Sequence, residues 1–169
     1  LITGILDAYE TNDVKLDQKT RRNSMMKMQQ SLREKENKST QGNLKKADEF
    51  LKKNKDSNEN IFETASGLQY RIIKEGSGNT PIETDKVQVH YAGRLINGQE
   101  FDSSISRGKP AEFQLNRVIK GWTEGLQLMK EGAKYEFFIH PKLGYGSRNS
   151  PKIPSNSLLI FEVELIKIL

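Results

Sequence analysis

The stretch VQVHYAGRLINGQEFDSS, Val87 to Ser104, indicates most clearly how this chain folds. Its alternate residues Val87, Val89 and Tyr91 are apolar or aromatic, which is the period-two pattern of a strand with one buried face. Asn97-Gly98 then favours a tight hairpin turn. The stretch therefore predicts two antiparallel strands joined by a short turn.

Similar segments, rich in β-branched and aromatic residues, recur on both sides of this hairpin. The predicted strands are Leu68–Lys74, Lys86–Leu95, Ala111–Leu115, Lys134–His140 and Leu158–Ile168. Alternation predicts further core residues at Tyr135, Phe137, Ile139, Leu159, Phe161, Val163 and Leu165. One helical candidate, near Thr123 to Met129, interrupts the strands. The economical architecture is an α+β fold, with one curved antiparallel sheet wrapped around one short helix.

The N-terminal part of the chain predicts helices. A wholly apolar stripe at helical spacing contains Leu1, Ile2, Ile5, Leu6 and Tyr9. Asn12-Asp13 supplies a turn and an N-cap. From about Leu16 to Lys55 strong helix formers continue without proline, and Met25, Met28 and Leu32 form a narrow apolar seam. Weak helix formers near Gly42 predict a bend or a frayed section, or two helices split by a loop.

The stripe and the seam need a partner surface. We expect a homodimer in which these helices pack across two chains, while the remaining helix extends as an arm. Packing within one chain, or against sequence that once preceded Leu1, is the alternative. The predicted division is a helical dimerisation region over residues 1–57, a linker over 58–65 and a globular domain over 66–169.

Composition excludes several classes of site. Basic and acidic residues are interleaved and the net charge is only +5, which disfavours nucleic-acid binding. With no cysteine, disulfides, thiol nucleophiles and cysteine zinc sites are excluded.

No third ligand accompanies His90 and His140 at metal spacing, so no metal is expected, and His140 should be exposed. The sequence contains no apolar run of about 18 residues, so no membrane-spanning helix is predicted. The chain opens with Leu, so we expect a processed or trimmed form, and any targeting signal would have been lost with the missing start.

Three motifs follow the hairpin in a fixed order: VIKGW (Val118 to Trp122), GYG (Gly144 to Gly146) and LLIFEVEL (Leu158 to Leu165). Together with the hairpin they resemble the FK506-binding-protein family of peptidyl-prolyl cis-trans isomerases. The resemblance covers roughly Ser66 to Leu169, and the preceding helical segment looks like the stalk of the macrophage-infectivity-potentiator subgroup. It implies the sheet-and-helix fold, V-shaped dimers and no cofactor.

The resemblance also implies an apolar substrate pocket. Trp122 would form its floor under the proline ring, and the Ile119 N–H and the Tyr145 hydroxyl would donate to substrate carbonyls. The catalytic residues implied are Phe101, Asp102, Ile119 and Tyr145. The substrate-binding residues implied are Tyr91, Arg107, Phe113, Val118, Trp122, Ile153 and Phe161. Ser155 stands where a second proline is common in the family, so the rim contacts are expected to differ from the family pattern.

Such a pocket is sufficient for catalysis. Rotation about a prolyl bond faces a barrier of about 18–20 kcal/mol, because resonance gives the C–N bond double-bond character. A cleft that stabilises the twisted amide over the planar one lowers this barrier without a nucleophile or a metal. Asp102, held by Tyr91 and Arg107, would act on the rotating carbonyl.

The implied function is isomerisation of Xaa-Pro bonds in peptides and unfolded proteins. Inhibition by FK506- or rapamycin-type ligands, chaperone activity of the dimer, and a location in the periplasm or at the bacterial outer-membrane surface are also implied. Two alternatives stay open: a binding module that grips proline-containing segments without useful turnover, and a structural or adhesion protein whose arm is the functional part.

Overall fold

The computed structural model of the chain describes residues 18–57 and 59–169. The predicted first helix with Leu1 and Tyr9, and the predicted turn at Asn12-Asp13, lie outside these residues. The chain divides into two compact units, Leu1–Lys38 and Ser39–Leu169.

Helix α1 spans Gln18–Ser57. It continues through Gly42, so the alternative of two helices separated by a loop at that point is wrong. The three residues of the predicted seam, Met25, Met28 and Leu32, are 66%, 65% and 54% exposed. Of the helices in residues 18–57 and 59–169, none combines the length and the apolar character that crossing a membrane requires.

Seven strands form one antiparallel sheet. Their bounds are Phe62–Glu63 (β1), Gln69–Lys74 (β2), Lys86–Leu95 (β3), Glu100–Ser103 (β4), Ala111–Gln114 (β5), Lys134–Ile139 (β6) and Leu159–Ile168 (β7). The order across the sheet is β1-β2-β6-β7-β3-β4. Strand β5 pairs with the first residues of β3, and β4 pairs with the later residues of β3. The long strands β3 and β7 pair from Val87–Ile168 to Leu95–Leu159 and form the middle of the sheet.

The predicted hairpin between β3 and β4 is present. The Gly98 N–H donates to the Leu95 carbonyl, and the Leu95 N–H donates to the Gln99 carbonyl. Gly98 has a φ of +83°, which glycine adopts without steric cost. The connection is thus a three-residue turn ending in a left-handed glycine. It returns the chain so that β4 lies beside the second half of β3.

One face of the sheet packs against the short helix α2, Lys120–Leu126. The predicted core residues of β3, β6 and β7 are all buried, together with Trp122 and Leu126 of α2. Helix α2 begins three residues before the predicted start at Thr123. Ile119 occupies its N-cap position without a side-chain cap, so the sequence offers no capping residue that would mark the start. Two short 3₁₀ helices, Leu115–Arg117 and Pro141–Leu143, complete the fold.

Within Ser39–Leu169, the last turns of α1 cover outward-facing residues of the sheet. A second apolar cluster contains Ala47, Leu51, Phe138 and Leu158. His140 Nε2 lies 3.1 Å from Asp48 Oδ1, and the His140 side chain is only 14% exposed. The prediction that His140 is exposed is therefore wrong, because α1 packs over this end of β6.

These contacts also bear on where the globular part of the chain begins. The predicted linker over residues 58–65 includes β1, which pairs with β2. The compact unit that contains the sheet starts at Ser39, within α1. The burial of Ala47 and Leu51 explains why the helix residues after Ser39 group with the sheet.

Candidate active site

An open cavity of about 1030 Å³ lies beside the start of α2. Its lining includes every predicted site residue except Arg107: Tyr91, Phe101, Asp102, Phe113, Val118, Ile119, Trp122, Tyr145, Ile153 and Phe161. These residues come from separate strands, from α2 and from the loop after Tyr145. The fold thus brings together side chains that are up to 70 positions apart, from Tyr91 to Phe161.

The floor of the cavity is a packed aromatic box around Trp122, which is 4% exposed. Tyr91, Phe113 and Phe161 contact the indole with centroid distances of 5.2, 5.3 and 5.2 Å and interplanar angles of 87°, 85° and 80°. Edge-to-face packing of this kind is favourable for aromatic quadrupoles. Within the described part of the chain, the buried Trp122 Nε1 has no hydrogen-bond partner. Ring packing therefore holds the indole in place.

A glycine makes room for the cavity wall. Phe101 and Phe161 meet at 5.4 Å and 86° beside Gly93 on β3. A Cβ at Gly93 would lie 2.6 Å from Phe161 Cε1 and 2.7 Å from Phe101 Cε2, closer than real Cβ contacts allow. Gly93 was missed from the sequence, although a glycine inside a strand signals that another group approaches closely.

Asp102 is held by the two predicted partners. Strand β4 places Asp102 opposite Gly93, next to Tyr91. The Tyr91 hydroxyl donates to Asp102 Oδ2 at 2.5 Å, and Arg107 Nη1 donates to Asp102 Oδ1. Arg107 Nη2 also donates to the Tyr91 hydroxyl at 2.9 Å, and the guanidinium lies 5.5 Å from the Tyr91 ring centroid. Arg107 thus acts on the cavity through Asp102 and Tyr91 and does not line it.

This network fixes the charge state of the site at neutral pH. Burial alone would raise the pKa of Asp102, but the hydrogen bonds from Tyr91 and Arg107 outweigh it, and the pKa lies below the ordinary 3.8. Burial, and then the hydrogen bond to Asp102, raise the pKa of Tyr91. Burial, and then the negative charge of Asp102, raise the pKa of Tyr145. A carboxylate and two protonated phenols therefore face the cavity.

Two donors on the cavity wall are uncommitted. The Ile119 carbonyl accepts from the Trp122 and Thr123 N–H groups, which fixes the peptide at the start of α2. Neither the Ile119 N–H nor the Tyr145 hydroxyl donates to any residue in the described ranges 18–57 and 59–169. Tyr145 is 42% exposed. Both groups are free to donate to a bound molecule.

The loop after Tyr145 forms part of the rim and is tied to α1. Asn43 Nδ2 donates to the Ser155 carbonyl at 2.9 Å, and Ser155 Oγ donates to the Ser147 carbonyl at 3.0 Å. Ile153, on the same loop, lines the cavity. Ser155, the residue that departs from the family pattern, is thus buried and serves as a hydrogen-bonding centre of the loop.

Basic residues at the cavity were missed from the sequence. Its lining includes Arg117, Lys120, Arg148 and Lys152. Their position in the sequence could have indicated them, because Arg117 and Lys120 lie beside or within the motif VIKGW and Arg148 and Lys152 lie in the loop after Tyr145.

Family models match both parts of the chain. One, described as "FKBP-type peptidyl-prolyl cis-trans isomerase", matches residues 78–166. A second, described as "Domain amino terminal to FKBP-type peptidyl-prolyl isomerase", matches residues 1–72. Both agree with the resemblance found in the sequence motifs.

Curated relatives carry the same description. An FKBP-type peptidyl-prolyl cis-trans isomerase FkpA of Aeromonas hydrophila is 51% identical over 126 residues, 75% of this chain and 47% of the relative. A probable FKBP-type isomerase of Haemophilus influenzae is 42% identical over 180 residues, 99% of this chain and 71% of the relative. The FKBP-type 22 kDa isomerase of Escherichia coli is 53% identical over 112 residues, 66% of this chain and 54% of the relative. The chain thus spans about half the length of two of these relatives.

Solved structures share the fold. The crystal structure of FkpA from Escherichia coli superposes with a TM-score of 0.84 at 36% identity, covering 99% of this chain and 79% of that one. A peptidyl-prolyl cis-trans isomerase from Pseudomonas syringae gives a TM-score of 0.70 at 34% identity, covering 76% and 95%. The predicted α+β fold is confirmed, and the chain belongs to the family of FKBP-type peptidyl-prolyl cis-trans isomerases.

Proposed function

We propose that the protein accelerates cis-trans isomerisation of Xaa-Pro bonds in peptides and unfolded chains. The observation that carries this proposal is the aromatic cavity on Trp122 with an ionised Asp102 at its side. A proline ring is apolar and compact, so it matches a floor of indole edged by phenyl rings. The cavity contains the groups that a twisted amide requires and needs no covalent intermediate.

The mechanism is differential binding of the twisted amide. As the C–N bond rotates, conjugation is lost and the carbonyl dipole turns away from its ground-state direction. The Asp102 carboxylate, fixed by Tyr91 and Arg107 before substrate arrives, would act on this turning dipole without reorganisation. The Ile119 N–H and the Tyr145 hydroxyl would hold flanking carbonyls while the bond between them rotates. Interactions that strengthen only in the twisted state raise the rate.

Replacement of Asp102 by Ala tests this mechanism. We expect kcat/KM for an Xaa-Pro peptide to fall about ten- to a hundredfold, because hydrogen bonds to charged groups contribute roughly 1.5–3 kcal/mol and 1.36 kcal/mol is tenfold in rate. Asp56→Ala, at the exposed end of α1, is the matched control and should keep full activity.

The same assay separates the enzyme from a binding module. Peptide binding without any acceleration by the unaltered chain would favour the module that grips proline segments. FK506 or rapamycin should compete with peptide for the cavity, and activity that persists at saturating inhibitor would place the reaction elsewhere.

We further propose that the protein is a homodimer through its N-terminal helices and acts as a chaperone on unfolded chains. The exposed seam of Met25, Met28 and Leu32 and the family match over residues 1–72 support this proposal. We also propose a periplasmic or outer-membrane location, as the family resemblance implies; a chain without cysteine is compatible with such an oxidising compartment. Fractionation of the source cells tests the location, and recovery in the cytoplasmic fraction would contradict it.

A further inference from the structure

We infer that the cavity selects Xaa-Pro segments that are flanked by acidic side chains. This inference rests on the proposed isomerase function and names the substrate class of the same cavity. The aromatic floor recognises the proline ring alone, so selection among proline-containing segments falls to the groups around it.

Four basic side chains surround the aromatic floor. Arg117 is the last residue of the 3₁₀ helix before α2, Lys120 is the first residue of α2, and Arg148 and Lys152 belong to the loop after Tyr145. All four are exposed. None of them forms an ion pair with a residue in the described ranges 18–57 and 59–169. Their charges are therefore available to a bound chain.

The opposite charge is nearly absent from this site. Among the described residues, Asp102 is the one carboxylate that lines the cavity, and Arg107 already pairs with it. Lys142 also lines the cavity, but its charge already helps to lower the pKa of Glu63, a carboxyl outside the cavity lining, so it is not counted with the four. The cavity therefore presents an excess of positive charge to residues beside the proline.

The size of the expected effect follows from solvent screening. A single exposed charge pair contributes little, so several acidic side chains acting together are needed for a clear preference. A cleft lined by one sign of charge also concentrates oppositely charged ligands, and it does so less at high ionic strength. The Debye length falls from about 8 Å at 0.15 M salt to about 3 Å at 1 M salt. We expect a preference of about three- to tenfold at low salt that largely disappears at high salt.

The test uses the full chain and three peptides. The peptides share one Leu-Pro bond and differ only in the two residues on each side of it, which are Glu, Gln or Lys. Exchange NMR measures isomerisation without a coupling protease whose own specificity would interfere. The expected order of kcat/KM is Glu above Gln above Lys, with the spread shrinking as salt is added. Equal kcat/KM for the Glu and Lys peptides would overturn the inference.

Charge-reversal variants locate the effect. Arg148→Glu with Lys152→Glu should reduce or reverse the ratio of the Glu peptide to the Lys peptide. Arg117→Glu with Lys120→Glu is a second, independent pair that should act in the same direction. The control, Lys52→Glu with Lys53→Glu, makes the same change in net charge on exposed residues of α1 and should keep the ratio. An equal loss of preference in the control would overturn the inference, because net charge alone would then explain it.

The neutral peptide separates this inference from the proposed function. If the Gln peptide is isomerised but charge has no effect, the function stands and the inference fails. If the full chain isomerises no peptide, the proposed function fails. Titration of the same peptides by chemical-shift changes at Trp122 still reads the charge preference in that case: tighter binding of the Glu peptide supports the inference, and equal binding overturns it.

Discussion

Tyr91 joins the two halves of the candidate site at the scale of single residues. Its ring packs edge-on against Trp122 at 5.2 Å, and its hydroxyl donates to Asp102 at 2.5 Å. Arg107 Nη2 donates a hydrogen bond to the same hydroxyl at 2.9 Å. The side chain that supports the apolar floor is thus also the one that holds the carboxylate, so the apolar and charged parts of the cavity keep a fixed geometry.

Tyr91→Phe should raise the pKa of Asp102. The substitution keeps the ring on Trp122 and removes one of the two side-chain hydrogen bonds that lower this pKa against the effect of burial. In the unaltered protein the folded-state pKa lies below 3.8, so the carboxyl stabilises the fold above that pH and this contribution is lost as the pH falls through the lower folded-state value. In the variant this contribution should be smaller, and its loss should be complete at a higher pH.

NMR titration of the Asp102 carboxyl carbon measures this change directly. Tyr70→Phe, whose ring stacks on Tyr135 away from the cavity, is the control that should leave the Asp102 pKa unchanged. An Asp102 pKa that stays the same or falls in Tyr91→Phe would contradict the assignment of the hydrogen bond.

The aromatic residues of the site were predictable from the sequence, and the charged rim was not. Phe113 or Phe161 alone would be read as core, and only the ordered motifs indicated a pocket. Arg148 and Lys152 carry no such pattern, because a basic residue in a polar loop is by default a solvated one. Their role depends on where the loop folds back, which local sequence does not encode.

At the scale of elements, the last turns of α1 support the rim of the cavity. Asn43 holds the Ser155 carbonyl, and Ser155 in turn holds Ser147, two residues beyond Tyr145. The Asn156 N–H donates to the Gly146 carbonyl at 2.8 Å, which closes the same loop. The weak helix formers around Gly42 thus occupy a stretch of α1 whose side chains contact this loop, and these contacts outweigh their poor helix propensity.

Asn43→Ala should weaken peptide binding. The loss leaves the Ser155 carbonyl without its partner, and a hydrogen bond of this kind contributes about 0.5–1.5 kcal/mol, so we expect KM to rise about two- to tenfold with kcat less affected. The backbone amide signals of Tyr145 and Ser155 should shift in NMR spectra, which a general loss of stability would not produce selectively. Gln41→Ala, an exposed neighbour on α1, is the control. Unchanged KM together with unchanged Tyr145 signals would show that the helix does not position the rim.

The sheet was largely predictable at this scale because strand alternation is a local pattern. Phe137 and Phe138 are adjacent, yet both are buried, at 0% and 6% exposure. Period-two alternation assigned only Phe137 to the core. Phe138 and His140 are covered by α1, about ninety positions earlier in the chain, and no local pattern announces a covering element so distant in sequence.

At the scale of the whole molecule, the apolar seam on α1 is exposed to solvent. Met25, Met28 and Leu32 are each more than half exposed. Full burial of side chains of this size contributes roughly 1.5–3 kcal/mol each. A second copy of the chain that brings the same seam would bury both sets at once, as a two-fold interface requires.

Replacing Met25, Met28 and Leu32 together with Lys should convert the proposed dimer to a monomer. The three added charges on each copy would repel those on the other copy across the seam. The substitutions would also remove the apolar burial that stabilises the proposed dimer. Light scattering after gel filtration measures the mass, and aggregation of an unfolded client measures chaperone activity, which should fall with it. Peptide isomerisation should persist, because the seam lies outside the cavity lining.

The matched control adds the same three charges at positions off the seam: Asn23→Lys, Gln30→Lys and Asn37→Lys. A seam variant that remains dimeric, or an unaltered chain that is already monomeric, would exclude this seam as the interface, and full aggregation suppression by a monomeric variant would separate chaperone activity from dimerisation.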